Sequence, residues 1–169
     1  LVLGRVGVTD GLLGGAARPR LDERDAACVV VGDAQLAAGG IGHESEALAL
    51  ARSYDAANGN VGRYNPDRAD RYIVIAKSVE SFGFLGIASV GRSGAFLNGT
   101  VASDVVAHEL GHNHGLFHSH AWRPTGSSPI GAGTHEAYGD VFDDMGNTAR
   151  VPAGHFNTKQ KDNLLYLDA

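Results

Sequence analysis

Five histidines lie between residues 108 and 120, and three of them have the spacing of metal ligands. Residues 108–118 have the sequence HELGHNHGLFH, which fits the pattern HExxHxxGxxH without a mismatch. On a helix, residues four apart lie on one face, so His108 and His112 can converge on one ion. Gly115 allows a sharp turn after the helix, which would bring His118 back to that ion. The pattern predicts three metal ligands: His108, His112 and His118.

The type of ligand predicts the metal and its chemistry. Three neutral imidazoles suit Zn²⁺ and leave a fourth position for water, whose pKa falls to about 7 in such sites. A structural zinc site would normally be closed by a fourth protein ligand. Glu109, beside the first ligand, is placed to take a proton from that water and pass it to a leaving amine. We therefore expect a hydrolase in which Glu109 is the catalytic general base.

The specificity of this signal comes from its length. The five-residue pattern HExxH is weak, because two histidines and one glutamate on an exposed helix face occur by chance. The glycine and third histidine at fixed offsets make the longer pattern specific. The alternative is a cluster of nearby histidines that binds metal adventitiously. His114 is expected to point away from the metal, since it lies about 200° around the helix from His112.

A helix must carry the first two ligands, and the flanking residues predict one from about Asp104 to His114. Ser103 is expected to be its N-cap, and Asp104 places a negative charge in its first turn. Its apolar stripe consists of Val105, Val106 and Leu110. Beyond the third histidine the sequence is rich in loops. Asn157 is then expected to cap a last helix over 158–166, with Leu164 and Leu165 facing inward.

The sequence before the motif predicts a mixed sheet. Residues 26–32 and 71–76 are short β-branched runs typical of strands, and 46–58 has a helical apolar pattern between them. That pattern consists of Ala47, Leu50, Ala51 and Tyr54. Residues 84–90 and 95–101 predict two further strands joined by a turn. The strand over 84–90 is expected to form an exposed edge, to which an extended peptide could add.

The chain resembles the metzincin zinc peptidases, whose signature is this long motif followed by a tight turn with a methionine beneath the metal. That turn corresponds to residues 143–147, and Met145 is the only methionine in the sequence. The resemblance is greatest to the gametolysin-like group and covers roughly Tyr72 to the C-terminus. It rests on segments 96–100, 106–109, 138–140, 144–146 and 154–157. Ser119, directly after the third histidine, is similar instead to the matrixins.

The resemblance implies an α/β metzincin fold and one catalytic domain over residues 1–169. An N-terminal subdomain to about residue 118 would hold a twisted mixed sheet and two helices above a zinc cleft. A smaller C-terminal subdomain, 119–169, would hold the Met turn and a terminal helix. Substrate would lie extended along 84–90. Astacins and serralysins have a tyrosine ligand two residues after the methionine, and Asn147 here implies a site with three histidines alone.

The remaining polar residues are expected to have lesser roles. His120 and His135 flank a loop with Trp122, and neither is expected to bind metal or substrate. His155 follows the Met turn, where it could line the cleft or make a structural hydrogen bond. The acidic residues Asp140, Asp143 and Asp144 lack the spacing of an EF-hand, so capping of the turn or orientation of a ligand histidine is favoured over calcium binding.

Cys28 is the single cysteine, so an internal disulfide is excluded. Its neighbours lack the arginine, glycine and proline of the inhibitory propeptide segments in matrixins and gametolysin-type precursors. A buried thiol is therefore expected. Residues 1–5 lack an initiator methionine and a basic segment, which predicts a processed or trimmed chain. The family resemblance implies secretion to the extracellular space.

Composition limits the partners. Hydrophobic residues make up 43% and charged residues 20%, values typical of a globular protein. The net charge of −5 and the scattered Lys and Arg residues argue against a nucleic-acid partner. No apolar run approaches the roughly 18 residues that cross a bilayer, so no membrane partner is expected. The expected partner is a protein or peptide substrate, and a monomer is expected.

The sequence therefore predicts a zinc-dependent endopeptidase. One alternative is a zinc amidase that acts on non-protein or cell-wall peptide substrates. Another is a zinc-stabilised binding module without turnover, although a purely structural site needs no general base at Glu109. Side-chain preference, natural substrate and zymogen control do not follow from the sequence.

Overall fold

The computed structural model describes residues 2–4, 27–30, 40–57, 67, 69–147, 154–165 and 167. Within these ranges the chain has a mixed α/β fold with two small sheets and three α-helices. It divides into two compact units. The first contains Leu1–Ile87 and Ser93–Thr100, and the second contains Ala88–Arg92 and Val101–Ala169. The single catalytic domain predicted over residues 1–169 stays a prediction.

The larger sheet has five strands, and its order is β1-β2-β3-β5-β4. The strands are β1 Val2–Gly4, β2 Ala27–Val30, β3 Tyr72–Ala76, β4 Gly86–Ala88 and β5 Gly94–Asn98. Strand β1 is antiparallel to β2, whereas β2 pairs with β3 and β3 with β5 in parallel. The predicted mixed sheet is confirmed, and β4 is an edge strand as expected. Strands β2 to β5 are each shorter than the segment predicted for them, and β1 was not predicted.

Helix α1, Gly40–Ala57, connects the parallel strands β2 and β3 and confirms the predicted strand–helix–strand unit. It begins six residues before the predicted start. Ala47 and Ala51 are buried, but Leu50 and Tyr54 are 48% and 42% exposed, so the predicted apolar stripe was wrong at those two positions. The buried face instead continues to Asp55, because residues four apart follow one face of the helix.

The core of the first unit lies between α1 and the sheet. It consists of the buried side chains of Ala47, Ala51, Val74, Ala76 and Phe96. The rings of Phe82 and Phe84 stack at 5.4 Å, and Phe84 meets Phe96 edge to face at 6.5 Å. These aromatic contacts attach the loop before β4 to the core.

The end of β5 is fixed by a buried asparagine. Asn98 accepts a hydrogen bond from the Val79 N–H at 2.7 Å and donates to the carbonyls of Val79 and Phe84 at 3.1 and 2.9 Å. Gly99 follows with a φ of 73°, and a Cβ there would clash with Ser78. A glycine is therefore required immediately after this strand.

The second unit contains α2 Ser103–Asn113, strands β6 Ala121–Pro124 and β7 Gly133–Glu136, and helix α3 Thr158–Asn163. The two strands form an antiparallel ribbon. The Trp122 indole N–H donates to the Gly131 carbonyl at 3.1 Å, and Arg123 pairs with Glu136. The sequence predicted loops here and not strands, because both strands contain proline or glycine and have little β-branched character.

The helix ends confirm some predictions and correct others. Ala102, not Ser103, occupies the N-cap position of α2 and makes no side-chain cap, while Asp104 lies in the first turn as expected. Asn157 caps α3 as predicted, accepting from the Gln160 N–H at 2.9 Å. The inward orientation predicted for Leu165 was wrong, since that residue is 71% exposed with a φ of 60°.

Cys28 lies in β2, but its predicted burial lies outside what the structure describes. Among the described residues, no helix combines the length and apolar character needed to span a membrane.

Candidate metal centre

Helix α2 ends in a turn that redirects the chain toward its own last turn. The Gly115 N–H donates to the His112 carbonyl at 2.9 Å, and the Leu116 N–H donates to the Gly111 carbonyl at 3.0 Å. This pair of bonds is the Schellman arrangement, in which the residue after the cap takes a left-handed conformation. Gly115 has a φ of 94°, as the sequence predicted. The chain reverses here, and His118 lies three residues later.

The three predicted ligands come together within the second unit. Their potential ligand atoms all lie within 4.8 Å of one another, and the Nε2 atoms of His112 and His118 are 3.0 Å apart. The ring centroids of the three side chains are 4.7 to 5.2 Å apart. His112 is buried, and His108 and His118 are half-buried. His108, His112 and His118 are thus close enough to bind one metal ion.

Backbone carbonyls orient the two helical histidines. Nδ1 of His108 lies 2.7 Å from the Asp144 carbonyl oxygen, and Nδ1 of His112 lies 2.8 Å from the Leu116 carbonyl oxygen. A carbonyl oxygen only accepts, so in both contacts the imidazole donates from Nδ1. Each Nε2 then carries a lone pair. This is the arrangement that metal-binding histidines normally have, with the second nitrogen bonded to a carbonyl or carboxylate.

Electrostatics favours the neutral form of His108 and His118. Burial lowers the pKa of His108, and the neighbouring His112 lowers it further. Burial, together with His112, His108 and His120, lowers the pKa of His118 to about 4. Metal ions bind neutral imidazole, so His108 and His118 are in the binding form at neutral pH without losing a proton.

The third ligand lies on a loop, and four hydrogen bonds hold the residues on either side of it. The Ser119 N–H donates to the Met145 carbonyl at 2.7 Å, and the Ser119 hydroxyl donates to Asp143. Gln160 of α3 donates through Nε2 to the Phe117 carbonyl at 2.8 Å and to the Ser119 hydroxyl at 3.1 Å. The sequence analysis did not predict this role for Gln160; the only signal was a polar residue one turn inside a capped helix.

Gln160 is expected to support metal binding without touching the metal. Replacing the buried Gln160 by Ala leaves the Phe117 carbonyl without this donor. Gln160 bonds to the neighbours of His118 and not to His118 itself, so zinc affinity should fall about tenfold, the lower end of the loss when a direct partner of a ligand is removed. The melting temperature should also fall. Competition with a zinc-binding dye would measure the affinity. Lys159→Ala, an exposed change on the same helix, is the control. Equal zinc affinity in both variants would contradict the role of Gln160.

Met145 is fully buried beneath α2. A Cβ added to Gly111 would clash with the Met145 sulfur and would lie 3.2 Å from the Phe156 ring. Asp143 caps the turn, accepting from the Met145 N–H at 2.8 Å. The turn therefore supplies an apolar contact at Met145 and the carbonyl of Asp144 that orients His108. Capping by an acidic residue, as predicted, is confirmed.

The packing of Met145 predicts the effect of two substitutions. Met145→Leu preserves volume and apolarity, so it should cost less than about 1.5 kcal/mol of unfolding free energy and leave zinc bound. Met145→Asn should cost about 1 to 3 kcal/mol more, because it buries an amide without a partner. Chemical denaturation and zinc analysis of both variants would test this. Equal stability of the two would show that residue 145 does not pack in the core.

Glu109 is buried next to the first ligand. Its Oε2 atom makes no hydrogen bond to any described residue, and burial raises the pKa of the side chain to about 7. A buried carboxylate oxygen without a partner is costly unless something outside the protein satisfies it. Water or substrate bound at an adjacent metal ion would supply that partner and, with the positive ion, favour the ionised form.

Tyr138 adds a group that the sequence analysis did not assign to the site. Its ring centroid lies 3.9 Å from that of His118 and 5.9 Å from that of His108. Burial and the charge of Glu109 raise the pKa of the phenol. Tyr138 has a φ of 58°, which is unusual for an aromatic residue. The sequence signal was weak, since this residue was notable only as part of the family segment 138–140.

Other residues weighed from the sequence are not members of this cluster. His114 is exposed as predicted, and the exposed rings of His120 and His135 stack on each other at 4.5 Å. The backbone of His155 forms an isolated parallel β-bridge with that of Asp143. A role for His155 in lining the cleft stays a prediction. Asp140 accepts from the Phe142 N–H and from Asn157 at 2.9 and 3.1 Å. Within the described chain, the three-histidine cluster is the one group of at least three such side chains placed to bind a metal.

Comparisons of the chain with protein-family models, with curated proteins and with solved structures gave no match. The family resemblance and the activity it implies therefore stay predictions.

Proposed function

We propose that the protein is a zinc-dependent endopeptidase of the metzincin type. The observation that carries this proposal is the cluster of His108, His112 and His118 beside a buried glutamate whose Oε2 has no partner among the described residues. A site that only stabilised the fold would need no such carboxylate. The apolar support from Met145 is a second argument, because the metzincin resemblance implies a methionine in that place.

The donor set fits zinc. Two of the imidazoles donate from Nδ1 to carbonyls, which leaves Nε2 free to bind, and nitrogen ligands in a tetrahedral set are typical of Zn²⁺. When bound, Zn²⁺ would supply a Lewis acid that polarises a carbonyl and lowers the pKa of water. Among the described residues the cluster offers three ligands, so a fourth position would be available to water or substrate.

The protein residues then have distinct tasks. His108, His112 and His118 would hold the metal, and the Asp144 and Leu116 carbonyls would fix two of the rings. Glu109 would take a proton from water as the water oxygen attacks the scissile carbonyl carbon, and it would later give that proton to the leaving amine. This proton transfer accounts for a buried carboxylate oxygen, Oε2, that has no partner among the described residues.

A peptide-library digest tests the proposal. We expect the zinc-loaded protein to cleave internal peptide bonds, to lose activity with 1,10-phenanthroline and to regain it when zinc is added. Cleavage in water enriched in ¹⁸O should label the new carboxyl terminus, because water supplies the oxygen. Hydrolysis of cell-wall peptides alone would favour the amidase alternative. No hydrolysis by a fully zinc-loaded protein would favour the binding module.

A further inference from the structure

Tyr138 occupies a position whose backbone is unfavourable for it. Its φ of 58° lies in the left-handed region, where glycine is accommodated readily and an aromatic residue is rare. The turn is tight, since Gly139 donates its N–H to the Glu136 carbonyl at 3.1 Å and a Cβ at Gly139 would lie 2.6 Å from that of Ala121. Residues held in such conformations cluster at functional sites. Because the backbone conformation disfavours a tyrosine at this position, the contacts of its side chain must explain why a tyrosine is present.

The side chain lies over the metal ligands. The Tyr138 ring contacts the rings of His118 and His108, with interplanar angles of 34° and 17°. It remains 41% exposed, so it covers the cluster without closing it to solvent. Glu109 directly follows His108 in α2, so Glu109 and the Tyr138 ring both neighbour that histidine. The phenol ring therefore lies beside the position where water and substrate would meet.

From this placement we propose that the Tyr138 hydroxyl donates a hydrogen bond to the oxygen of the scissile carbonyl as that oxygen becomes negative. This inference rests on the proposed function, whose reaction supplies every atom and proton of the step. The water oxygen bonds to the carbonyl carbon, the π electron pair moves to the carbonyl oxygen, and Glu109 receives the water proton. The C–N bond then breaks, and the amine takes the proton. Tyr138 stabilises the oxyanion and keeps its own proton.

The chemistry of the other groups supports this assignment. Glu109 accepts a proton, and neutral imidazoles bound through Nε2 have no donor facing the metal, so they cannot supply this hydrogen bond. The O–H group of a phenol is a hydrogen-bond donor. Removing one donor to a developing oxyanion typically lowers kcat about 10²- to 10³-fold.

The test compares Tyr138→Phe with wild type, because phenylalanine keeps the ring and removes only the hydroxyl. We expect kcat on the fastest-cleaved library peptide to fall about a hundredfold with little change in KM. A phosphinic pseudopeptide built on that peptide imitates the tetrahedral oxyanion, and calorimetry should show its affinity falling by a similar factor. Three quantities should not change in this variant: the affinity for the carboxyl-terminal product peptide, the affinity for zinc, and the visible spectrum of the Co²⁺ form. Tyr54→Phe, an exposed tyrosine of the other unit, is the matched control.

Two results would overturn the inference. If Tyr138→Phe keeps the wild-type kcat and the wild-type affinity for the phosphinic pseudopeptide, the hydroxyl has no role in catalysis and the ring only packs on the ligands. A weaker zinc affinity with an altered Co²⁺ spectrum would show that the phenol acts on the metal and not on the substrate oxygen. Failure of the proposed function gives a different result. A zinc-loaded wild type that cleaves no peptide overturns both proposals. Equal cleavage by wild type and Tyr138→Phe overturns only the role of the Tyr138 hydroxyl.

Discussion

Replacing Glu109 by Gln is expected to lower peptide hydrolysis about 10²- to 10⁴-fold while zinc stays bound. Glutamine keeps the shape of the side chain but cannot accept a proton from water. The three histidines are unaffected, so zinc content should equal that of wild type. Because burial disfavours the ionised carboxylate in the metal-free protein, the melting temperature of that form should be unchanged or higher. Activity would therefore fall without loss of fold or metal.

Steady-state kinetics on one library peptide, zinc analysis and thermal melting together test this expectation. Glu80→Gln, an exposed change in the other unit, removes the same charge and should leave all three quantities unchanged. Cleavage by Glu109→Gln within a few fold of wild type would remove Glu109 from the mechanism. Loss of zinc in that variant would instead indicate that the carboxylate helps to hold the metal.

Replacing His118 by Ala is expected to lower zinc affinity by more than about a hundredfold. Removing a residue that is hydrogen-bonded to a metal ligand already lowers metal affinity about 10- to 100-fold. This change removes a ligand itself, so the loss should be larger. The site would keep only His108 and His112, one helical turn apart. Hydrolysis should be lost at limiting zinc, because two protein ligands hold the ion poorly.

The matched control for this change is His114→Ala, which removes an exposed histidine of the same segment. Competition with a fluorescent chelator would give both affinities. We expect His114→Ala to bind zinc as tightly as wild type. If His118→Ala did so as well, the third ligand would have to come from elsewhere, and the turn at Gly115 would have no function in the site.

The residues around the metal centre differ in how far the sequence could predict them. The three-histidine cluster follows from spacing alone, because helical geometry fixes His108 and His112, and a glycine that takes a positive φ allows His118 to return. Met145 was predictable from the family resemblance, and its burial agrees with that role. Helix α2, helix α1 and strands β2 to β5 also followed from local sequence, whereas the ribbon of β6 and β7 did not.

Contacts between distant segments could not be predicted in this way. Gln160 lies 43 residues from Phe117, and no local pattern joins them. Tyr138 approaches the histidines only because a short ribbon ends in a tight turn at Gly139, and the strands of that ribbon have weak strand-forming character. At Leu50 and Tyr54 the apolar pattern was misleading, because small alanines provide the packed face of α1 and the larger side chains remain outside.

X-ray absorption spectroscopy at the zinc edge tests the central claim most directly, because it counts the ligands of the bound ion. We predict that one equivalent of zinc binds and that its spectrum fits three imidazole nitrogens and one lighter oxygen, all at about 2.0 to 2.2 Å. In His118→Ala the imidazole contribution should fall to two. A wild-type spectrum with fewer than three imidazoles, or with a fourth protein ligand in place of the oxygen, would contradict an open three-histidine site.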